Sequence, residues 1–321
     1  MVPDPQQVER FARNLDALIA PDARVGIAVS GGPDSLALLL LAAAARPGQV
    51  EAATVDHQLR AGSLEEAQAV QSLCERIEVP HRTLSAKWAE KPLTAIQERA
   101  RAERYRLLGE WAEARRLAAL ATAHHLDDQA ETLLMRLARG AGVRGLAAMR
   151  PIARVPGSDL PLLRPLLGWR RSELAAICSA AGVEAAADPS NADEKFERVR
   201  VRRSLAEADL DPEALASSAA ILGEADVALE WAARQEWARA VANGGGEIVY
   251  LPTDAPTDIR RRIVAEAISR LANEGNGAAL RGKEIDQLMS VLTAGAQATL
   301  RGVRCEGGRE WRFSQAPPRR G

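Results

Sequence analysis

The chain predicts an α/β fold: a parallel sheet with helices on both faces, followed by a smaller, mainly helical region. Three observations carry that prediction. Short apolar runs alternate with longer helical patterns through the first 140 residues, the signature of repeated strand–helix–strand units. The run Val25-Gly-Ile-Ala-Val29 passes through Ser30-Gly31-Gly32-Pro33 straight into Leu36-Ala-Leu-Leu-Leu-Leu41, so a strand, a tight loop and a helix follow directly on one another. Helix-opening signals stand between the runs: Ser63-Leu-Glu-Glu66 is a capping box, and Thr94-Ala-Ile-Gln97 opens a second capped helix.

The elements follow in order. Val50–Val55 reads as the second strand, and the helix opened at Ser63 runs towards Ile77. His81–Leu84 is the third strand. The helix opened at Thr94 carries Arg99, Arg101, Arg104 and Arg106. Leu117–Thr122 is the fourth strand, and a helix follows from about Asp127 to Arg139. Trp88–Pro92, lying between elements, reads as a mobile segment. In a parallel sheet ligands bind beyond the carboxyl ends of the strands. Ser30, Asp56 and His124 all follow strand ends, so three loops should converge on one crevice. From Gly140 the pattern loosens. Asp211-Pro212 is an N-cap and first-turn pair that starts a long helix to about Ala242, which Gly244-Gly-Gly246 breaks. Strand-like pieces at Glu247–Leu251 and Ala298–Val303 flank an arginine-rich helix near Ile259–Leu271. The division expected is a catalytic domain over 1–208 and a small, mainly helical domain over 209–321, with a disordered tail at Pro317–Gly321.

Composition sets bounds. A length of 321 residues suits two domains, and 47% hydrophobic with 26% charged residues is ordinary for a soluble globular chain. Cys74, Cys178 and Cys305 lie far apart with no Cys-x-x-Cys, so neither a zinc ribbon nor a redox pair is indicated. A sparse, odd count fits a reducing compartment, and Met1-Val-Pro-Asp-Pro5 has no apolar signal core, so a cytoplasmic protein is expected. The apolar run Leu36–Ala45 falls short of the roughly 20 residues that span a bilayer. Net charge is −1, so any contact with RNA must come from local basic patches.

Three segments carry chemistry. In the Ser30–Ser35 loop, Gly31 and Gly32 permit a sharp turn and close approach, and the helix start beyond aims unpaired N–H groups at an anion. No Gly-Lys-Ser/Thr follows, so this phosphate site is not of the Walker type. Val55-Asp56-His57-Gln58-Leu59-Arg60 places polar side chains after the second strand. Ala123-His124-His125-Leu-Asp127-Asp128-Gln-Ala-Glu131-Thr132 opens a helix with Asp127, Asp128 and Glu131 on one face. Acidic residues at a helix start also cap it, and two histidines beside two aspartates also describe a metal-dependent phosphoesterase. Spacing leaves these open. Arginines cluster at Arg198, Arg200, Arg202 and Arg203, at Arg260–Arg262, and at Arg301, Arg304, Arg309 and Arg312. Each cluster suits phosphate, and each also suits a solvated face; Arg198-Val-Arg-Val-Arg-Arg203 alternates like an amphipathic strand. Trp231, Trp237 and Trp311 could stack on bases or fill a core.

Ser-Gly-Gly-x-Asp-Ser resembles the loop of the pyrophosphate-loop (PP-loop) superfamily, which splits ATP between its α and β phosphates. The wider set resembles the tRNA(Ile)-lysidine synthetase family: Ser30–Ser35, Val55–Arg60, Ala100-Arg-Ala-Glu-Arg-Tyr105, Ala123–Gly145, Arg164-Pro-Leu-Leu167 and Asp188-Pro-Ser-Asn191, over roughly residues 20 to 205. The resemblance implies adenylation of the C2 oxygen of the wobble cytidine in a tRNA(Ile) with a CAU anticodon, then displacement of AMP by the ε-amine of free L-lysine. It implies an ATP site at Ser30, Gly31, Gly32, Pro33, Asp34 and Ser35, with Asp34 holding Mg²⁺. Asp34, Asp56, His124, His125, Asp128 and Glu131 become the candidate catalytic set, the histidines as proton relays near neutral pH. Arg198, Arg200, Arg202 and Arg203 become candidate tRNA contacts. Two positions depart from the family: Gln58 stands where glycine is usual, and Val199 where asparagine is usual. The short C-terminal region resembles the compact branch. A PP-loop thiolase or an amidating synthetase shares the loop; the first needs a catalytic cysteine, and the second lacks the His-His-x-Asp-Asp segment. A non-catalytic ATP-binding module is a further alternative, which the polar residues at three strand ends argue against.

Overall fold

A computed structural model describes residues 3–58, 63–88, 96–185, 197–272, 280 and 282–317. The chain forms two compact units: Met1–Arg136 with Ala148–Ala219, and Leu137–Ala147 with Ala220–Gly321.

In the first unit α1 (Pro5–Asp16) precedes β1 (Val25–Ala28), α2 (Pro33–Ala45), β2 (Val50–Asp56), α3 (Ser63–Arg76), β3 (His81–Ser85), α4 (Ile96–Ala114), β4 (Ala119–Ala121) and α5 (Leu126–Ala138). Two short strands, β5 (Ile152–Arg154) and β6 (Pro161–Leu163), are followed by α7 (Arg171–Ala180) and α8 (Glu197–Glu207); α6 (Val143–Leu146) belongs to the second unit. The sheet order is β3-β2-β1-β4-β6-β5, parallel throughout except for the edge strand β5. β1 therefore has β2 on one side and β4 on the other. Chain direction across the sheet reverses there, which opens a crevice between the loops after β1 and β4.

Burial explains the sequence of α2. Ser35–Ala42 are all buried, because the helix is enclosed by α1, α7 and the strands β1 and β2. A helix covered on every side needs no polar stripe. On the other face of the sheet Gly26 lets Trp111 of α4 lie against β1; a Cβ there would stand 2.8 Å from the indole.

The strand alternation and helix starts read from the sequence reappear within a few residues. The alternating Arg198–Arg203 segment is the exception. It is helix α8 and not a strand, so Val201 and Leu205, four apart, turn to one side.

The second unit is helical, as expected, with α9 (Pro212–Ala240) entering it and α10 (Thr257–Leu271) and α11 (Gly282–Thr293) within it. It also carries a five-stranded antiparallel sheet, β7 (Val241–Gly244), β8 (Glu247–Tyr250), β9 (Gln297–Leu300), β10 (Val303–Glu306) and β11 (Trp311–Gln315), in the order β7-β8-β11-β10-β9. The stretch read as one strand at Ala298–Val303 is a hairpin. Arg301 (φ +54°) and Gly302 (φ +77°) turn the chain, and Leu300 pairs with Val303. Tyr250, Trp311 and Phe313 of this sheet are buried with Ile263, Ile268 and Leu292. Trp311 is core, its ring edge-on to Tyr250 at 5.7 Å.

The arginine-rich helix divides its residues by burial. Arg262 is enclosed by Asp226 (2.7 Å), Glu230 (3.0 Å) and Asp258 (2.9 Å), whereas Arg261 reaches Asp286 from the surface at 2.6 Å. Among the described residues no helix is long and apolar enough to cross a membrane.

Candidate active site

The loop after β1 turns through Gly31 at φ +84°, a conformation that glycine adopts without strain. Gly32 is the N-cap of α2, makes no side-chain capping bond, and is followed by Pro33, so the helix start keeps its amides for a ligand. Ser35 holds the loop shut. Its Oγ accepts from the Ser30 amide (3.1 Å) and donates to the Gly32 carbonyl (2.9 Å). The Cys178 thiol on α7 donates to the Pro33 carbonyl at 3.2 Å. Asp34 stands in the first turn of α2, and its Oδ1 is buried without a hydrogen-bond partner.

The loop after β4 meets this one. His125 is 1% exposed, with Nε2 3.5 Å from Asp34 Oδ2 and 3.6 Å from Asp128 Oδ2, and Nδ1 3.5 Å from Asp127 Oδ2. Burial works against its charge, but the carboxylates of Asp127, Asp34 and Asp128, all within 3.6 Å of the ring, outweigh it, raising its pKa to about 9. His124 goes the other way. Burial dominates, Arg164, Arg101 and Arg198 add repulsion, and Asp128 opposes them only in part, so its pKa falls to about 4. Its Nδ1 lies 2.9 Å from Thr122 Oγ1. The two histidines offered by the sequence as relays therefore differ in character: the surroundings of His125 favour its protonated form and those of His124 its neutral form.

The acids also cap. Asp128 accepts from the His125 amide (3.2 Å), and Asp127 accepts from the Arg171 amide at the start of α7 (2.8 Å). Burial would raise the Asp127 pKa, but His125 and that amide hold it down to about 2. The capping reading and the cluster reading thus describe the same atoms. Glu131, 1% exposed, accepts from Arg202 Nε of α8 at 2.8 Å. Arg198 lies 3.8 Å from Asp128, and Arg203 lies 3.4 Å from Glu207 on its own helix.

Asp56 lies at the same sheet edge, but its carboxylate serves its own loop. It accepts from the Gln58 amide (2.9 Å) and the Ser63 hydroxyl (2.7 Å). Gln58 has φ +53°, which gives a physical reason for glycine being usual there. His57 accepts from Arg104 at 3.3 Å, and burial followed by the Arg104 charge lowers its pKa to about 4. Leu59, Arg60, Ala89–Pro92, Thr94, Asp188–Asn191 and 318–321 of the tail lie outside the described residues.

Sequence reasoning left two participants out of its candidate set. Asp127 was legible in the motif; Arg171, 4.0 Å from Asp34, had only its place after Gly168-Trp169-Arg170 to mark it. Among the described residues no group of three or more His, Cys, Asp or Glu side chains is placed to hold a metal ion.

The PP-loop domain family matches residues 5–209. A tRNA(Ile)-lysidine synthase from Novosphingobium aromaticivorans is 46% identical over 314 residues, covering 97% of this chain and 94% of the relative. The chain belongs to the tRNA(Ile)-lysidine synthase family. The lysidine synthase of Zymomonas mobilis is 44% identical over 301 residues, covering 92% of this chain and 90% of its own. Among solved structures, the U34-tRNA thiolase NcsA of Methanococcus maripaludis aligns with 67% of this chain and 77% of its own at a TM-score of 0.56 and 15% identity, a likeness of fold alone.

Proposed function

We propose that this member of the lysidine synthase family uses ATP to adenylate the C2 oxygen of the wobble cytidine of tRNA(Ile) with a CAU anticodon, and then joins L-lysine at C2. In the first step the C2 oxygen takes the α-phosphorus and pyrophosphate leaves. In the second the ε-amine bonds to C2, AMP leaves with the oxygen, and the amine loses a proton. Asp34 carries the reading: a carboxylate with one buried, unpartnered oxygen stands at a helix start suited to anions.

That orphaned oxygen fits Mg²⁺, which takes one or two carboxylates plus phosphate oxygens more readily than an all-protein cage. Bound there, Mg²⁺ would neutralise phosphate charge as pyrophosphate leaves. The amides of Gly31, Gly32 and Ser35 and the Ser30 hydroxyl hold the departing pyrophosphate. His125 keeps Asp34, Asp127 and Asp128 in place. Asp127, Asp128 and Glu131 form the anionic wall for the lysine ammonium. His124, neutral near pH 7, takes up the amine proton as lysine attacks, beside the negative charge of the adenylate phosphate. Asp56 sets the loop over the nucleotide.

Residues 1–208 perform the chemistry in the cytoplasm, and 209–321 hold the tRNA together with Arg198, Arg200, Arg202 and Arg203. A thiolase reading finds little support in the cysteines. All three are buried, and burial raises their thiols to about 12 for Cys74, 11 for Cys178 and 12 for Cys305, away from the thiolate that sulfur transfer needs. AMP and pyrophosphate should form only with ATP, Mg²⁺ and tRNA(Ile) together, and labelled lysine should enter the RNA. Steady ADP release without tRNA would overturn the proposal.

A further inference from the structure

The two oxygens of Glu131 are treated differently. Oε1 pairs with Arg202 at 2.8 Å, while Oε2 is buried without a partner. Beside this carboxylate a cavity of about 240 Å³ is lined by Asp127, Asp209 and Arg171 and by the apolar Leu205 and Leu210. A carboxylate 1% exposed needs a cation, because a lone charge in the interior is strongly disfavoured. Arg202 supplies that cation from a side chain still 37% exposed, on a helix whose Arg198, Arg200 and Arg203 face solvent. Its guanidinium thus stands between a buried acid and a basic surface. The cavity beyond it has acids for an ammonium, Arg171 for a carboxylate and an aliphatic wall for a methylene chain.

We propose that Arg202 stands in for the substrate ammonium: it holds Glu131 in the free protein and, when RNA docks on α8, turns to a phosphate and yields Glu131 to lysine. The inference rests on the reading that the acids of α5 bind lysine. One cation replaces another, so the buried carboxylate is never left unpaired. Without RNA, lysine competes with a tethered guanidinium whose effective concentration is on the order of millimolar. With RNA the competitor is gone. Lysine affinity and RNA affinity are then linked, and the linkage is reciprocal. Arg202 acts as a positioning residue that enforces RNA before lysine.

The test is lysine binding by calorimetry to the full chain, with and without tRNA(Ile) and without ATP. Wild type should bind lysine about tenfold more tightly with tRNA, within the usual range of couplings. Arg202→Gln keeps a hydrogen-bond donor but no charge. It should bind lysine equally with and without tRNA, and no more weakly than wild type with tRNA. Arg202→Lys retains the competing cation and should retain the coupling. A melting curve confirms that each variant is folded, and Arg202→Lys carries the comparison should Arg202→Gln fail to fold: loss of coupling in that variant overturns the stand-in. Equal coupling in wild type and Arg202→Gln also overturns it, as does lysine binding weakened in both states. Glu131→Gln separates the two layers. If it binds lysine as wild type does, the assignment of lysine to these acids fails; if it loses lysine while Arg202→Gln keeps full coupling, only the stand-in fails.

Discussion

Asp34→Asn keeps the size of the side chain and removes its charge. Three features of its surroundings set the expected magnitudes. Oδ1 is buried and unpartnered, so the change there falls on whatever cation the oxygen meets in the working complex. Losing one preorganised charge contact in a dry site typically costs about 10²–10³-fold, or about 2.7–4 kcal/mol in the transition state. The effect on folding is smaller. Asp34 lies in the first turn of α2, where the helix dipole is worth about 0.3–1 kcal/mol. Its contact with His125 is long, 3.5 Å, and the side chain is 23% exposed. A stability change of about 1 kcal/mol moves the melting temperature by about 2–4 °C in a unit of this size. Rate and stability therefore separate. AMP release with saturating ATP, Mg²⁺ and tRNA(Ile) should fall at least about 10²-fold while the melting curve moves by only a few degrees. Unchanged turnover would remove Asp34 from the mechanism. A collapse of the melting curve that accounts for the lost activity would make it a packing residue.

Two further outcomes follow from the charges. His125, raised to about 9 from 6.5, contributes stability that is whole below pH 6.5 and lost as pH climbs through 9; at 1.36 kcal/mol per unit the 2.5-unit gap is worth about 3 kcal/mol. His124, lowered to about 4, contributes the opposite limb, whole above pH 6.5 and lost as pH falls through 4, so urea unfolding should show a stability maximum near pH 6.5, and His125→Asn should flatten the alkaline side. In the second unit, Arg262→Met removes the buried cation that meets Asp226, Glu230 and Asp258, and should cost about 3–5 kcal/mol in urea while leaving the salt dependence of tRNA binding unchanged. Arg200→Ala with Arg203→Ala should do the reverse, lowering the slope of log affinity against log salt by roughly two at constant stability.

The sheet was legible because its strands are short, apolar and bounded by turns, and because β1, α2 and the loop between them keep local and global preferences in agreement. The site was legible where spacing alone places atoms: Asp127, Asp128 and Glu131 share a helix start whatever packs around them. What spacing does not convey is where each acid is satisfied. Asp56 turns to Ser63 in its own loop, Glu131 finds Arg202 some 71 positions away, and Asp127 caps a helix 44 positions on. Arg198–Arg203 left a strand open as an alternative because alternation over six residues fits one; in α8 the inward positions are Val201 and Leu205, four apart. The hairpin at Arg301-Gly302 escaped because arginine rarely announces a left-handed turn, and Gln58 hides the same conformation. Charge runs were equally silent: Arg260–Arg262 contains one buried hub and one surface pair, and only burial tells them apart.

The enclosure of α2 has a consequence for how the protein breathes. Eight successive residues behind the phosphate loop, Ser35–Ala42, have no solvent-facing side. Their amides can exchange hydrogen only when the whole unit opens, so they should be among the slowest in the chain. The proposed nucleotide loop is thus joined to a segment expected to exchange slowly, and Ser35 of that segment holds the loop in shape through Ser30 and Gly32. Nucleotide occupancy then reports on the entire unit: at about a hundredfold excess over its dissociation constant, a bound nucleotide adds about 2.7 kcal/mol to the resistance of that unit as a whole. Proteolysis of the first unit should slow as one body when ATP is added, with no cleavage site spared selectively around the loop.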